Sequence, residues 1–346
     1  MRVFYFLLVI LTLFTFISEL KRKEKKISII TTIVLIFLLT LVSGTRTSFV
    51  DTGAYINLYK QIDSVKIIND VYEPGFIIIL KELYKISTNP QFMIIITAFI
   101  TNALIILTLR RYSSNISKSL MIFMYITSGT YISTMNGLRQ YLAAAIIFYF
   151  SFLIEKKKFI KYFSICLVVS SIHSSVLIMI PIYFMINTEI WSKKIFILIG
   201  TFIITMIFFN PIINYLFEVI GGKFGGYKDF NEGGANIIRI MAISVPTVLA
   251  FITRKEFDKK KINERLFVNM SLINLFIMIV SLNNWIFARF AIYVGLYNLI
   301  LLPYILENNF LKKEKRLIKY IFIICYLIFF WYEAKISGIK YIGLLI

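Results

Sequence analysis

The only histidine of the chain, His173, lies in a polar interruption of an apolar stretch, where residues 170–175 read SSIHSS. Imidazole has the unperturbed pKa nearest to neutrality, so this residue type is suited to proton transfer. The alternative is a histidine whose ring nitrogens only satisfy neighbouring hydroxyl groups. A Ser-His-Asp triad is compatible with the composition, but no Gly-x-Ser-x-Gly motif supports it. We therefore treat His173 as a candidate general base.

A second polar group lies at the start of another apolar run, where residues 136–140 read NGLRQ. In a continuous helix Asn136, Arg139 and Gln140 would share one face. The planar guanidinium of arginine suits phosphate or carboxylate groups. This motif therefore predicts an anion-binding site at Arg139, with Asn136 and Gln140 beside it. An arginine that reaches to lipid head groups is the alternative.

Two carboxylates precede predicted short helices. Asp51 is followed at i+4 by Tyr55, and Glu73 precedes the Pro-Gly pair at 74–75. Both positions are suited to helix N-caps, because proline favours the first helical turn. Either carboxylate is also a candidate catalytic group that could replace His173 as the base.

The fifth candidate group is a stripe of Arg289, Tyr293 and Tyr297, which recur every fourth residue after Trp285. Arginine could bind a phosphate here, and the aromatic rings could stack on sugars. A belt of aromatic side chains at a membrane interface explains Trp285 and Tyr293 equally well.

Other chemistries have little support in the sequence. One histidine and two cysteines inside apolar runs, Cys166 and Cys325, predict neither a metal centre nor a loop disulfide, and we predict no cofactor. A cation held by Asp51 and Glu73 is the remaining alternative. The net charge of +20 does not form a basic surface interleaved with exposed aromatic residues, so no nucleic-acid partner is predicted.

The elements that position these residues follow from composition and charge. The chain is 59% hydrophobic and 16% charged over 346 residues, which is too apolar for a soluble globule. Its Lys and Arg residues are concentrated in alternate connections between apolar runs. Short cytoplasmic loops are rich in Lys and Arg, so this alternation predicts a membrane protein and the side that each loop faces. Both termini and all five candidate groups are then expected outside. The connections dense in Lys and Arg are 21–26, 110–118, 155–161, 193–194, 254–265 and 312–319.

The predicted fold is all-α: a single polytopic membrane domain over 1–346, with about twelve transmembrane helices. Short, broken or re-entrant segments are expected near the outer face, because irregular backbone at membrane depth must line a cavity or be buried in protein. We predict an outer loop with an interfacial helix at 45–91 and a glycine-rich outer loop at 211–236. The predicted spans are 2–18, 27–44, 92–109, 119–135, 138–154, 159–172, 174–188, 195–210, 237–253, 266–282, 286–306 and 317–334.

The ordered motifs resemble the EpsG family, a group of bacterial membrane proteins associated with Wzy-type exopolysaccharide and O-antigen polymerases. The likeness covers roughly residues 40–300. It is carried by Asp51, the Glu-Pro-Gly-Phe run at 73–76, the Asn-x-Leu-Arg-Gln run at 136–140, the His-Ser-Ser run at 173–175 and Arg289.

The resemblance implies a glycosyltransferase at the outer face of the bacterial cytoplasmic membrane. A growing glycan on undecaprenyl diphosphate would be transferred onto the next repeat unit on the same carrier. The implied partners are this lipid-linked oligosaccharide, the bilayer, a chain-length regulator and a flippase. Arg139 and Arg289 would bind diphosphate, and Asn136, Gln140, Tyr293 and Tyr55 would contact substrate. The alternatives are a lipid-linked oligosaccharide flippase and an outer-face O-antigen ligase or acyltransferase.

Overall fold

The computed structural model describes residues 2–20, 25–63, 72–114, 116–204, 234–257, 263–336 and 341–344. These residues form a bundle of helices with one small pair of strands. In the first half the helices are α1 Arg2–Leu20, α2 Lys25–Gly44, α3 Thr52–Lys60, α4 Pro74–Ile86, α5 Pro90–Tyr112, α6 Lys118–Thr127, α7 Thr130–Asn136 and α8 Leu138–Tyr149. In the second half they are α9 Phe152–Glu155, α10 Phe159–Ser170, α11 Met179–Ile186, α12 193–204, α13 Ile237–Ile252, α14 Glu264–Val280, α15 Ala288–Gly295, α16 Asn298–Asn308 and α17 Lys312–Ile336.

Within the described residues, four segments are long and apolar enough to cross a membrane: α1, α5, the α8–α9 segment and α17. The pair α15–α16 adds a fifth if it counts as one span, although it bends by 51°. A membrane-spanning helix needs about 20 residues. Several of the remaining apolar helices are shorter, so the helical membrane fold is supported but the predicted number of twelve spans is not confirmed.

Several predicted spans are interrupted by irregular backbone, and two of these breaks bear on the candidate residues. The predicted helix 119–135 divides into α6 and α7 at Gly129, whose φ of 77° lies in the left-handed region that favours glycine. The predicted helix 174–188 begins as a 3₁₀ turn, Ser174–Ile178, before α11. Both interruptions lie near His173 or the cavity described below.

The all-α prediction misses one short antiparallel pairing. Strand β1, Arg46–Ser48, pairs with β2, Ile342–Gly343, with Arg46 opposite Gly343. Further hydrogen bonds join the same regions, from Leu344 N to Thr45 O at 2.9 Å and from Tyr341 Oη to Val42 O at 2.6 Å. The segment after α17 therefore folds back against the end of α2.

Helix α8 lies at the centre of the bundle and contacts α5, α10 and α15. Its three consecutive alanines, 143–145, are completely buried, and small side chains allow neighbouring helices to approach closely. The residues just before and at the start of α8 are the motif at 136–140. The central helix therefore fixes the position of Arg139 and Gln140.

The predicted loop 45–91 contains α3 and α4, which pack on α5. Their buried side chains include Tyr59, Phe76 and Leu80. The glycine-rich segment predicted at 211–236 lies outside the described residues, except for 234–236.

Candidate active site

A cavity of about 740 Å³ opens at one end of the bundle. The starts of α3, α8, α13 and α15 meet there with the ends of α7 and α17. The basic connection after α5 leads into the start of α6, whose other end lines the cavity. The basic connections after α9 and before α17 likewise lie at the ends of the α8–α9 segment and of α17 that are away from the cavity. Residues of the sequence motifs that line the cavity are Asp51, Tyr55, Asn136, Arg139, Gln140, His173, Trp285 and Arg289.

The carboxylate of Glu73 is the centre of a polar cluster in this region. Its Oε2 accepts a hydrogen bond from Arg139 Nη1 within an ion pair. Its Oε1 is 3.0 Å from His173 Nδ1 and accepts from the backbone N–H of Ser174 at 2.9 Å and from Ser174 Oγ at 3.1 Å. An ionised carboxylate only accepts hydrogen bonds, so the shared proton lies on Nδ1 and leaves Nε2 as the basic nitrogen.

The position of Glu73 follows from the start of α4. Pro74 occupies the first helical turn, and the Phe76 N–H donates to Ser171 O at 3.1 Å. The Glu73 side chain makes no capping hydrogen bond, so the alternative of a simple N-cap is wrong for this residue. Its Oε1 is instead directed to the turn that follows α10, and its Oε2 to Arg139 of α8.

Gly75 allows α4 to approach that turn closely. A Cβ atom at Gly75 would lie 2.2 Å from Ser171 Oγ and 2.8 Å from Ser171 O. We expect Gly75→Ala to cost about 1–3 kcal/mol of stability, because the helix start must move away, and to separate Glu73 from His173. The melting temperature in thermal unfolding measures the loss of stability. Gly53→Ala, in the first turn of α3 with no atom within 4 Å of the added carbon, is the matched control and should be near neutral.

Arg139 has donors that the protein does not use. Its guanidinium carbon lies 4.5 Å from the Tyr72 ring centroid and 5.6 Å from that of Phe76. Its Nε is buried without a hydrogen-bond partner. Because its side chain is only 18% exposed and is paired with Glu73, the alternative of an arginine extended to lipid head groups is not observed. A buried unpaired donor in a cavity wall is suited to an anionic ligand.

Gln140 connects α8 to the helix that carries Arg289. Its Nε2 donates to the Arg289 backbone carbonyl at 2.6 Å and lies 3.5 Å from Ser175 Oγ. Ser175 Oγ is in turn 2.9 Å from Tyr293 Oη. The Arg289 guanidinium lies 4.6 Å from the Trp285 ring. The histidine turn, α8 and α15 are thus joined by side-chain hydrogen bonds behind the two arginines.

Two sequence predictions about shared helix faces are wrong. Asn136 ends α7 and Gly137 interrupts the helix, with ψ of 63°, so Asn136 does not share a helix with Arg139 and Gln140. It lines the cavity nonetheless. The stripe at Arg289 and Tyr293 stops at the bend between α15 and α16, where Tyr297 is fully buried against Phe148 and Phe267.

Asp51 and Tyr55 form the wall contributed by α3. Asp51 occupies the N-cap position but its side chain makes no capping hydrogen bond. Partial burial raises the pKa of Asp51, while the charges of Arg289 and Arg139 act in the opposite direction. Asp51 therefore lies within electrostatic range of both arginines. Tyr55 is 8% exposed and packs edge-on against Phe76, at 6.1 Å between ring centroids.

Burial alone would raise the pKa of Glu73, but hydrogen bonds from His173 and Ser174 and the charge of Arg139 outweigh it and lower the pKa to about 2. A carboxylate with a lowered pKa adds stability above its ordinary pKa of 4.5, and this is lost as the pH falls toward 2. We therefore expect the difference in melting temperature between wild type and Glu73→Gln to be constant from pH 7 to about 5 and to shrink below that. A difference that grows as the pH falls would contradict this.

In the part of the chain that the structure describes, no group of three His, Cys, Asp or Glu side chains could hold a metal ion. Asp51 and Glu73 both lie near Arg139, so a bound cation between them would face a guanidinium.

The model of the EpsG family matches residues 29–342, nearly the whole chain. The chain belongs to the EpsG family. It is therefore a membrane protein associated with exopolysaccharide biosynthesis. No curated protein and no solved structure shows significant similarity to it.

Two cavity residues of this EpsG family member were not predicted from the sequence. Arg239, in the first turn of α13, pairs with Glu333 near the end of α17, and both line the cavity. Ionisable residues near the ends of apolar spans are costly and need an explanation, and this signal could have identified both.

Proposed function

We propose that this protein is a polysaccharide polymerase. It transfers a growing glycan from undecaprenyl diphosphate to a hydroxyl group of the next lipid-linked repeat unit. The observation that carries the proposal is the single carboxylate, Glu73, that binds both the imidazole of His173 and the guanidinium of Arg139 beside one cavity. A base and an anion-binding group are the two components that such a transfer needs.

His173 acts as the general base. Glu73 accepts a hydrogen bond from the Nδ1–H group, which fixes the tautomer and leaves Nε2 as the basic atom. As the acceptor hydroxyl attacks the anomeric carbon, its proton passes to Nε2, a new glycosidic bond forms and the bond to the diphosphate breaks. Undecaprenyl diphosphate leaves with the electron pair of the broken bond. Base catalysis of this type contributes ~10²–10⁴-fold to the rate.

Arg139 and Arg289 stabilise the charge that develops on the leaving diphosphate. The unpartnered Nε of Arg139 supports this role, as does the position of Arg289 on the same cavity wall. The diphosphate is a good leaving group, so the step needs no nucleotide. Asn136 and Tyr55 line the cavity and are proposed to contact sugar hydroxyl groups or rings. Tyr293 is fully buried and lies 2.9 Å from Ser175 Oγ, so it is proposed to position the histidine turn and not to contact substrate.

The cavity is proposed to face outward from the bacterial cytoplasmic membrane. The connections rich in Lys and Arg lie at the opposite ends of the helices, which is the pattern of cytoplasmic loops. The lipid carrier would enter from the bilayer while its glycan remains in water. A flippase would deliver this substrate and a chain-length regulator would act on the product.

Lipid analysis of a deletion strain tests the proposal. We expect single repeat units to accumulate on the carrier at the outer face, where an added membrane-impermeant glycosidase can reach them. Repeat units that remain protected inside would indicate a flippase. Full-length polymer that lacks a substituent would indicate an acyltransferase. Either result would overturn the polymerase assignment.

Arg139→Lys tests whether the guanidinium geometry matters. Lysine keeps the charge opposite Glu73 but cannot offer two parallel N–H groups to a phosphate. We therefore expect a folded protein whose initial rate of polymerisation falls by at least about tenfold, and a larger loss for Arg139→Ala. Arg316→Lys, at the exposed start of α17 on the opposite side, is the control. Normal polymer length and yield from Arg139→Ala would remove Arg139 from the site.

A further inference from the structure

A second cationic group lies on another wall of the same cavity. Arg239 of α13 donates from Nε to Glu333 Oε1 at 3.3 Å and from Nη2 to Glu333 Oε2. The Arg239 side chain is 47% exposed and that of Glu333 is 14% exposed.

The ion pair is not the only connection between α13 and α17. Asn236 Nδ2 donates to Tyr332 Oη at 2.9 Å, and Tyr326 Oη donates to Ala242 O at 2.9 Å. The guanidinium of this pair is half-exposed and the two helices are already joined, so the ion pair is not needed to hold them together. A guanidinium has five N–H groups and Glu333 accepts from two of its nitrogens, so donors remain for an additional anion.

The pair faces the cavity, because Arg239 shares a helix face with Ala242 and Ile243, which also line it. The opposite faces of the same two helices carry exposed apolar side chains, among them Met241 at 64% and Trp331 at 52%. Arg239 lies in the first turn of α13 and Glu333 in the last turn of α17. A prenyl chain on the outer face of these helices therefore has only a helix end to pass for its phosphate groups to contact Arg239.

We infer that Arg239 binds the diphosphate of a second lipid-linked molecule, the acceptor. This inference rests on the proposed function, because joining two carrier-linked glycans requires two diphosphates to be bound at once. Arg139 and Arg289 are assigned to the leaving group. Arg239 is near the same part of α8, because its charge acts on Tyr141, two residues after Arg139. Glu333 occupies the guanidinium when the acceptor is absent, so it competes with the anion.

If Glu333 competes with the anion, substitution of Arg239 should weaken lipid binding and substitution of Glu333 should strengthen it. A purely structural ion pair would respond in the same way to the loss of either partner. Native mass spectrometry of the full chain in lipid nanodiscs would count bound undecaprenyl diphosphate. We expect two molecules for wild type, one for Arg239→Gln, and two for Glu333→Gln with the weaker site tightened. Arg265→Gln, which removes an ion pair with Glu189 at 3.7 Å, is the matched control and should bind two.

Inorganic pyrophosphate serves as the second probe. Displacement of one lipid from wild type, at a pyrophosphate concentration that leaves the remaining lipid of Arg239→Gln in place, would show that the weaker site recognises the diphosphate itself. Two molecules bound to Arg239→Gln, or an equal loss of binding in Arg239→Gln and Glu333→Gln, would overturn the inference. Failure of the proposed function would give a different result. The Arg139→Gln/Arg289→Gln double variant would then bind as many undecaprenyl diphosphate molecules as wild type.

Discussion

His173→Asn is expected to lower the rate of glycan transfer by ~10²–10⁴-fold. The asparagine amide can still donate to Glu73 from nearly the position of Nδ1, whereas no basic nitrogen remains in place of Nε2. The variant should therefore fold and bind lipid normally. Initial rates with purified protein and a lipid-linked repeat unit measure the loss.

Ser174→Ala provides the control for His173→Asn. It removes one hydroxyl donor to Glu73 but leaves the backbone N–H bond at 2.9 Å. Its rate should remain within a few-fold of wild type. A wild-type rate for His173→Asn would transfer the role of base to Asp51, and Asp51→Asn should then show the loss instead.

Glu73→Gln is expected to cause a loss of similar size, by a different route. The amide carries no charge for Arg139 and replaces one acceptor oxygen with a donor that faces donors. Removal of one partner from a largely buried ion pair leaves the other uncompensated, so we also expect a loss of about 1–3 kcal/mol in stability. The rate of glycan transfer and the melting temperature should both fall.

The control for Glu73→Gln lies on the same helix. Glu82 pairs with Lys85 at 2.6 Å, but both side chains are more than 60% exposed. Exposed pairs contribute little, so Glu82→Gln should change neither stability nor rate. If Glu73→Gln behaves like Glu82→Gln, the cluster around Glu73 is not part of the catalytic machinery.

The helical membrane fold could be predicted because long apolar runs and alternating basic loops are direct consequences of the bilayer. The details that depend on tertiary contacts could not. The interruption at Gly129 falls inside the predicted span 119–135, since a glycine in an apolar run is tolerated in many helices. The pairing of Arg46–Ser48 with Ile342–Gly343 joins segments almost 300 residues apart, and no local pattern indicates it.

The candidate site was predicted as a set of residue types, without its internal contacts. Motif spacing identified Glu73, Arg139 and His173, but only the folded chain brings Glu73 into contact with both of the others. Helix periodicity misassigned Asn136 and Tyr297, because it assumes unbroken helices. Arg239 and Glu333 were missed since each is a single charge near the end of an apolar run.

The hydrogen bond from Gln140 to the Arg289 carbonyl has a consequence for ligand binding. It ties the backbone of α15 to α8 directly beside Arg139, so the two helices that carry the arginines are joined before any ligand arrives. Little ordering of the backbone then remains for an anion to bring about, which lowers the entropic cost of its binding.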